Sequence, residues 1–291
     1  MPRRHPYVLV DVFTERALEG NALAVFTDAA GLSTAEMQAV ARETNLSETT
    51  FVCAGGLSPG APVPVRIFTV AEELPFAGHP TLGTAAVLRG ASGAREVVLA
   101  LAVGPVPVAF EDRASGVYGE MRQREPEAGR VHDRGEVARA LGVAAADLDD
   151  ALPVQTFSTG VPFAIVPLRS LAALRGVALD LRAAAAYLAR SDAKAFYLVS
   201  RETVDPAARL HARMIFDGGE DPATGSAAGC CAAWMVAHGV ARPDEQVLIE
   251  QGLEISRPSR LFVRAGLAGG RPRDVRVGGH VVEVGRGELR V

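Results

Sequence analysis

One motif occurs twice in this chain. Arg66-Ile67-Phe68, followed by Glu73-Leu74-Pro75-Phe76-Ala77-Gly78-His79, lies over Arg213-Met214-Ile215, followed by Glu220-Asp221-Pro222-Ala223-Thr224-Gly225-Ser226, at a uniform offset of 147 residues (78 to 225). Arg, Glu, Pro and Gly coincide without a gap, and Ala85-Ala86 coincides with Ala232-Ala233 farther on. Upstream, Gly20-Asn-Ala-Leu-Ala-Val-Phe26 matches Gly160-Val-Pro-Phe-Ala-Ile-Val166 at an offset of 140 (20 to 160). Two matches in one order, spaced at about half of the 291 residues, imply two copies of one supersecondary plan. The length also fits two domains of roughly 100–200 residues, each able to bury its own core without staples. We expect the first over residues 1–125 and the second over residues 126–291. The charged, Pro/Gly-containing stretch 124–129 is the linker, and the terminal strand is free to cross back to the first domain.

Local signals make each copy α+β. Residues 7–13 and 22–26 read as strands around the turn Glu19-Gly20-Asn21. Ser33-Thr34-Ala35-Glu36 is a capping box that opens a helix to about Glu43. Residues 48–53 and 64–69 read as strands, separated by the turn-rich stretch 55–62. A helix begins near His79, and further strands fall within 96–121.

Composition closes off several functions. The chain is 48% hydrophobic and 22% charged with a net charge of −4, and its 30 basic residues are scattered. That leaves no concentrated basic face for nucleic acid. The apolar run near the N-terminus is broken by Asp11, so it reads as neither signal peptide nor membrane span. Three cysteines with no CxxC pair fit a reduced, cytoplasmic setting, in which the sequon Asn45-Leu46-Ser47 has no glycosylation to receive. The six histidines lack metal-site spacing, and no phosphate-binding or dinucleotide fingerprint occurs. Lys194, the only lysine, opens an apolar strand with no glycine-rich phosphate loop nearby, which argues against a pyridoxal enzyme. Gly56-Leu57-Ser58-Pro59-Gly60 has the GxSxG form, but Pro59 has no N–H for an oxyanion hole, so it reads as a turn.

Chemistry concentrates at the repeated motif. In each copy a strand ends in Glu-x-Pro-x-x-Gly and a small-residue helix follows. A helix start presents unspent N–H groups and the positive end of the dipole, a site for a carboxylate or phosphate. Glycine at 78 and 225 lets a ligand approach the backbone. Taken singly, each junction is better explained by a plain turn into a helix. As a matched pair they predict one anion site in an interdomain cleft. The neighbours of the glycines differ, with Leu74 and His79 in the first copy against Asp221 and Ser226 in the second, as an asymmetric site requires. A helix start disfavours imidazolium, so His79 suits a neutral donor role; Asp221, before Pro222, serves equally well as a helix cap. Glu48 follows the first helix at the head of an apolar strand, where the second copy has Lys194-Ala195-Phe196 and no acid. Buried beside a cleft it would act as general base and then general acid; elsewhere it would be an ordinary loop acid.

Gly20-Asn21…Leu23-Ala24-Val25-Phe26, Asn45-Leu46-Ser47-Glu48-Thr49, residues 73–83 and Asp221-Pro222-Ala223-Thr224-Gly225-Ser226-Ala227 resemble the signatures of the PhzF family of phenazine biosynthesis. Arg257-Pro258-Ser259-Arg260-Leu261 and Val277-Gly278-Gly279 near the end are similar too. The resemblance implies a diaminopimelate epimerase-like fold of two pseudo-symmetric domains, each a β-barrel-like sheet around a central helix, assembled as a homodimer. It implies a cofactor-independent, metal-free isomerase acting on a small anionic metabolite. The acid matching Glu48 relocates a proton, and the residues matching His79, Asp221 and Ser226 hold and polarise substrate beside Gly78 and Gly225. Related epimerases carry a cysteine before each helix-start glycine. Ala77 and Thr224 stand there in this chain, so two-base inversion is disfavoured. A cofactor-independent racemase or epimerase and a non-catalytic ligand-binding protein are the alternatives. Intact Glu48, His79, Asp221 and Ser226 weigh against the latter.

Overall fold

The computed structural model describes residues 3–53, 61–216 and 219–291, and the chain divides into two compact units. Residues 1–122 and 278–291 form the first unit, and residues 123–277 the second. The GxSxG-like stretch Gly56-Leu57-Ser58-Pro59-Gly60 lies outside the described residues.

The first unit runs β1 (Arg4–Val12), β2 (Asn21–Phe26), α1 (Thr34–Thr44), β3 (Glu48–Val52), β4 (Val63–Phe68), β5 (Glu73–Leu74), α2 (Gly78–Ser92), β6 (Glu96–Leu101), β7 (Gly104–Arg113) and β8 (Gly116–Arg122). The capping box forms as expected: the Glu36 N–H donates to the Ser33 hydroxyl, and the Ser33 N–H donates to the Glu36 carboxylate. β1 and β2 pair antiparallel, β2 and β3 parallel across α1, and β3 and β4 antiparallel. β4 and β6 pair parallel across α2, and β6 and β7 antiparallel.

The second unit runs β9 (Glu127–Val131), α3 (Arg134–Leu141), β10 (Gln155–Ser158), β11 (Pro162–Leu168), α4 (Leu171–Arg175), α5 (Leu181–Leu188), β12 (Ala195–Ser200), β13 (Ala208–Arg213), β14 (Ile215–Phe216), β15 (Gly219–Glu220), α6 (Gly225–Ala237), β16 (Val247–Gln251) and β17 (Ser259–Ala268). β18 (Arg271–Arg290) starts in this unit and ends in the first. Its later part pairs with β1 and adjoins β8, which closes the first unit's strands on themselves. The order of pairing in the second unit repeats that of the first. β10–β11 is antiparallel, β11–β12 parallel, β12–β13 antiparallel, β13–β16 parallel and β16–β17 antiparallel. β9 begins inside the stretch read as a linker, because the Arg130 N–H donates to the Asp192 carboxylate and β9 pairs with β10.

Each unit has one helix that its strands enclose. α2 packs against β1, β2, β3, β6, β7 and β8. Gly83 makes this approach possible, since a Cβ there would lie 2.7 Å from Leu23 Cδ2 and 2.8 Å from Val12 Cγ2. α6 is buried continuously from 227 to 236, which explains a helix that is apolar all round rather than striped. The remaining helices cover outer faces. α1 packs Met37 and Val40 over the ring series Phe26, Phe51 and Phe68. α3 and α5 pack over Val166, Phe196 and Leu198.

Candidate active site

The repeated Arg and Glu turn out to be structural. Arg66 donates from Nε and Nη2 to the two carboxylate oxygens of Glu73, at 2.7 and 2.5 Å. Arg213 does the same to Glu220 at 3.0 and 2.7 Å. A bidentate fork fixes geometry as well as charge, and each fork ties a strand to the approach of the following helix. Arg213 also reaches the carbonyls of Leu174, Arg175 and Val177 at the end of α4.

In the first unit these elements place three polar side chains together. Asn45 closes α1 in the left-handed conformation (φ 51°), and a hydroxyl pair, Thr44 with Thr49 at 2.7 Å, ties the turn beyond it. Glu48 therefore opens β3, where its parallel partner is Leu23 of β2. Asn21 opens β2, so both side chains belong to the same end of adjacent parallel strands. α2 starts there as well. His79, its second residue, sets Nε2 3.5 Å from Glu48 Oε2 and Nδ1 3.1 Å from Asn21 Nδ2. The Glu48 side chain is 16% exposed, while His79 is 4% and Asn21 1% exposed. Burial pushes the His79 imidazole down to about 3, so it is neutral at physiological pH. The dipole of α2 acts in the same direction.

The start of α2 is open in the manner of an anion site. Ala77 precedes it in extended conformation and offers no side-chain cap. The first intrahelical donor is the Thr81 N–H, to the Ala77 carbonyl at 3.2 Å. The N–H groups of Gly78 and His79 have no acceptor within the helix, and Pro80 has none to offer.

In the second unit Asp221, Gly225 and Ser226 surround the start of α6. Gly225 is its first residue and Ser226 its second, after Thr224 at the cap position. α6 has no side-chain cap: Asp221 Oδ2 accepts from the Thr224 hydroxyl at 2.6 Å rather than from a helix N–H. Gln251 holds this turn from beneath. Its amide donates to the Asp221 carbonyl and the Thr224 hydroxyl, at 2.8 and 3.0 Å. Its carbonyl accepts from the Thr224 N–H and the Tyr197 hydroxyl, at 3.3 and 2.9 Å.

Of the residues expected at the site, Glu48, Gly78 and His79 stand together in the first unit, and Asp221, Gly225 and Ser226 in the second. Sequence reasoning placed Asn21 in a turn and in the family signature but gave it no role, and it missed Gln251, whose partners lie 27 to 54 residues away. Burial raises the Cys230 thiol to about 11 and pushes the Cys231 thiol well above its ordinary value. Both are inert structural cysteines of α6. Among the described residues, no group of three or more His, Cys, Asp or Glu side chains could hold a metal ion, and no helix is long and apolar enough to cross a membrane.

Comparison with known proteins yields a consistent set of relatives. The family model described as "Phenazine biosynthesis-like protein" matches residues 10–287. An isomerase of uncharacterised reaction from Mesorhizobium japonicum is 41% identical, covering 97% of this chain and 98% of its own. The trans-2,3-dihydro-3-hydroxyanthranilate isomerase of Pseudomonas chlororaphis is 36% identical over 98% of this chain and 99% of its own. A solved structure from Pseudomonas aeruginosa, described as a predicted epimerase, superposes with a TM-score of 0.84 at 39% identity, covering 98% of this chain and 99% of that one.

Proposed function

The chain belongs to the phenazine biosynthesis-like (PhzC-PhzF) family of isomerases, and we propose that it moves a proton, with a shift of a double bond, on a small unsaturated carboxylate. The observation that carries this reading is the approach of the Glu48 carboxylate to within 3.5 Å of a buried, neutral His79 at the open start of α2. Glu48 takes a proton from an sp³ carbon of the substrate. The electron pair left on that carbon becomes part of a new C=C bond within the conjugated system. The same carboxylic acid then delivers its proton to the distal carbon, which regenerates the carboxylate. The His79 Nε2–H and the Gly78 N–H polarise and hold the substrate as charge develops. On the strength of the family resemblance, Asp221 is assigned to catalysis beside Glu48 and His79, and Ser226 and the Gly225 N–H to substrate binding. The reading includes two units that are copies of one domain, as their common order of strand pairing supports, and a cytoplasmic homodimer.

No metal or organic cofactor takes part in this scheme, since carboxylate, imidazole and backbone donors supply every proton and charge it needs. The purified protein is expected to convert trans-2,3-dihydro-3-hydroxyanthranilate, or a close cyclic analogue, after exhaustive dialysis against chelator. Activity that returns only on adding zinc or another metal would overturn the scheme. Epimerisation is the second reading, because the Pseudomonas aeruginosa neighbour carries that description. Ala77 and Thr224 disfavour it, as neither can serve as a thiolate.

A further inference from the structure

We infer that Asn21 is a positioning residue: its side-chain amide donates to His79 Nδ1 and so fixes the imidazole as the tautomer whose Nε2–H faces Glu48. The inference rests on the isomerase reading above and adds to it the residue that orients the polarising group. His79 is packed at 4% exposure with its Nδ1 3.1 Å from Asn21 Nδ2 and its Nε2 3.5 Å from Glu48 Oε2. A neutral imidazole carries one proton, and the partner of one ring nitrogen decides the state of the other. An amide nitrogen is a donor only, so Nδ1 must present its lone pair and the proton resides on Nε2. Water cannot substitute for Asn21, because Asn21 itself is 1% exposed.

The arrangement has a chemical consequence. With the proton on Nε2, His79 can donate to a substrate atom, or to the Glu48 carboxylate, while remaining neutral. The opposite tautomer would aim a lone pair at the carboxylate and could stabilise no developing negative charge. Asn21 holds its place because it opens β2, where its main chain pairs with Val12 of β1. A side chain at that register position lies beside the start of α2 whatever the substrate is.

The direct test is the ¹⁵N spectrum of ring-labelled protein, with the His79 resonances assigned by their loss in His79→Gln. The wild type is expected to show a protonated Nε2 and an unprotonated Nδ1. Asn21→Asp supplies an acceptor in place of the donor and is expected to move the proton to Nδ1. On trans-2,3-dihydro-3-hydroxyanthranilate it should lower kcat by roughly 10²-fold or more, the scale of a lost proton-handling group, with KM changed far less. Asn21→Ser, which keeps a donor, should recover part of that kcat. An Nδ1–H tautomer in the wild type would overturn the inference, and so would full kcat in a folded Asn21→Asp variant. If Asn21→Asp does not fold, the wild-type spectrum still decides. Failure of the underlying isomerase reading looks different: Glu48→Gln would turn over normally while His79 kept its Nε2–H.

Discussion

Glu48→Gln is expected to slow isomerisation by about 10²–10⁴-fold, the range lost when a general acid–base group is removed. Glutamine keeps the shape and volume of the side chain at the head of β3 but can neither take nor return a proton. The fold should survive, since the turn before Glu48 is held by Asn45 and by the Thr44–Thr49 hydroxyl pair. His79 stays neutral with or without the charge beside it, because burial sets its protonation. The variant should therefore melt close to the wild type and bind substrate, and its loss should lie in kcat. Steady-state kinetics on trans-2,3-dihydro-3-hydroxyanthranilate, alongside a thermal melt, make the comparison. Near-normal kcat in a folded Glu48→Gln variant would remove Glu48 from the mechanism.

The largest stability effect is expected in the second unit, at His211. Its ring is fully buried in β13, with Nδ1 2.7 Å from Glu250 and Nε2 3.0 Å from Glu254. Burial alone would pull its pKa down, but hydrogen bonds to the two carboxylates and their charges outweigh burial and raise it. Glu254 is raised by burial in turn, yet the bonds from His211 and Arg175 bring it down to about 2. Glu250 is likewise lowered and also accepts the Val204 and Asp205 N–H groups. Removing one partner of a buried ion pair costs roughly 3–5 kcal/mol. Since Glu250 and Glu254 keep other donors, His211→Ala should cost about 3 kcal/mol.

The sign of the pH dependence follows from the directions. The raised imidazolium contributes fully below its ordinary value of 6.5, and its contribution is lost as pH rises through the higher folded value. The lowered Glu254 contributes fully above its ordinary value of 4.5 and is lost as pH falls through about 2. Denaturant melts of wild type and His211→Ala should therefore differ most between about pH 4.5 and 6.5 and converge on either side. A difference independent of pH would show that His211 acts by packing alone.

What the sequence disclosed, and what it concealed, follow from the range of the interactions. The capping box at Ser33 and Glu36 is local, and its two hydrogen bonds can be read from spacing alone. The starts of α2 and α6 were legible because Gly, Pro and small residues leave a compositional mark on any helix start. The repeat was legible as a pattern, but its Arg and Glu gave no hint of their task. Only in the folded chain does Arg66 meet Glu73, and Arg213 meet Glu220, as forks. Glu48 could be singled out because the second copy lacks an acid at the same passage, although no local rule put it 3.5 Å from His79. Asn21 and Gln251 stayed hidden for a related reason. Each acts through partners brought near by strand pairing, Asn21 on a residue 58 positions later and Gln251 on residues 27 to 54 positions earlier. Such contacts leave no periodicity, and a motif that contains the residue does not name its partner.

Whether one carboxylate moves a proton along the substrate is decided by running the reaction in D₂O and following the product by NMR. Glu48 Oε2 is shut off from solvent, so the abstracted proton has little chance to exchange before it is returned. The product is expected to keep part of the substrate's hydrogen at the new C–H, with incomplete deuterium there and no inversion at any carbon left saturated. Complete deuterium incorporation at a single carbon, together with loss of optical rotation, would contradict this account and establish a racemase instead.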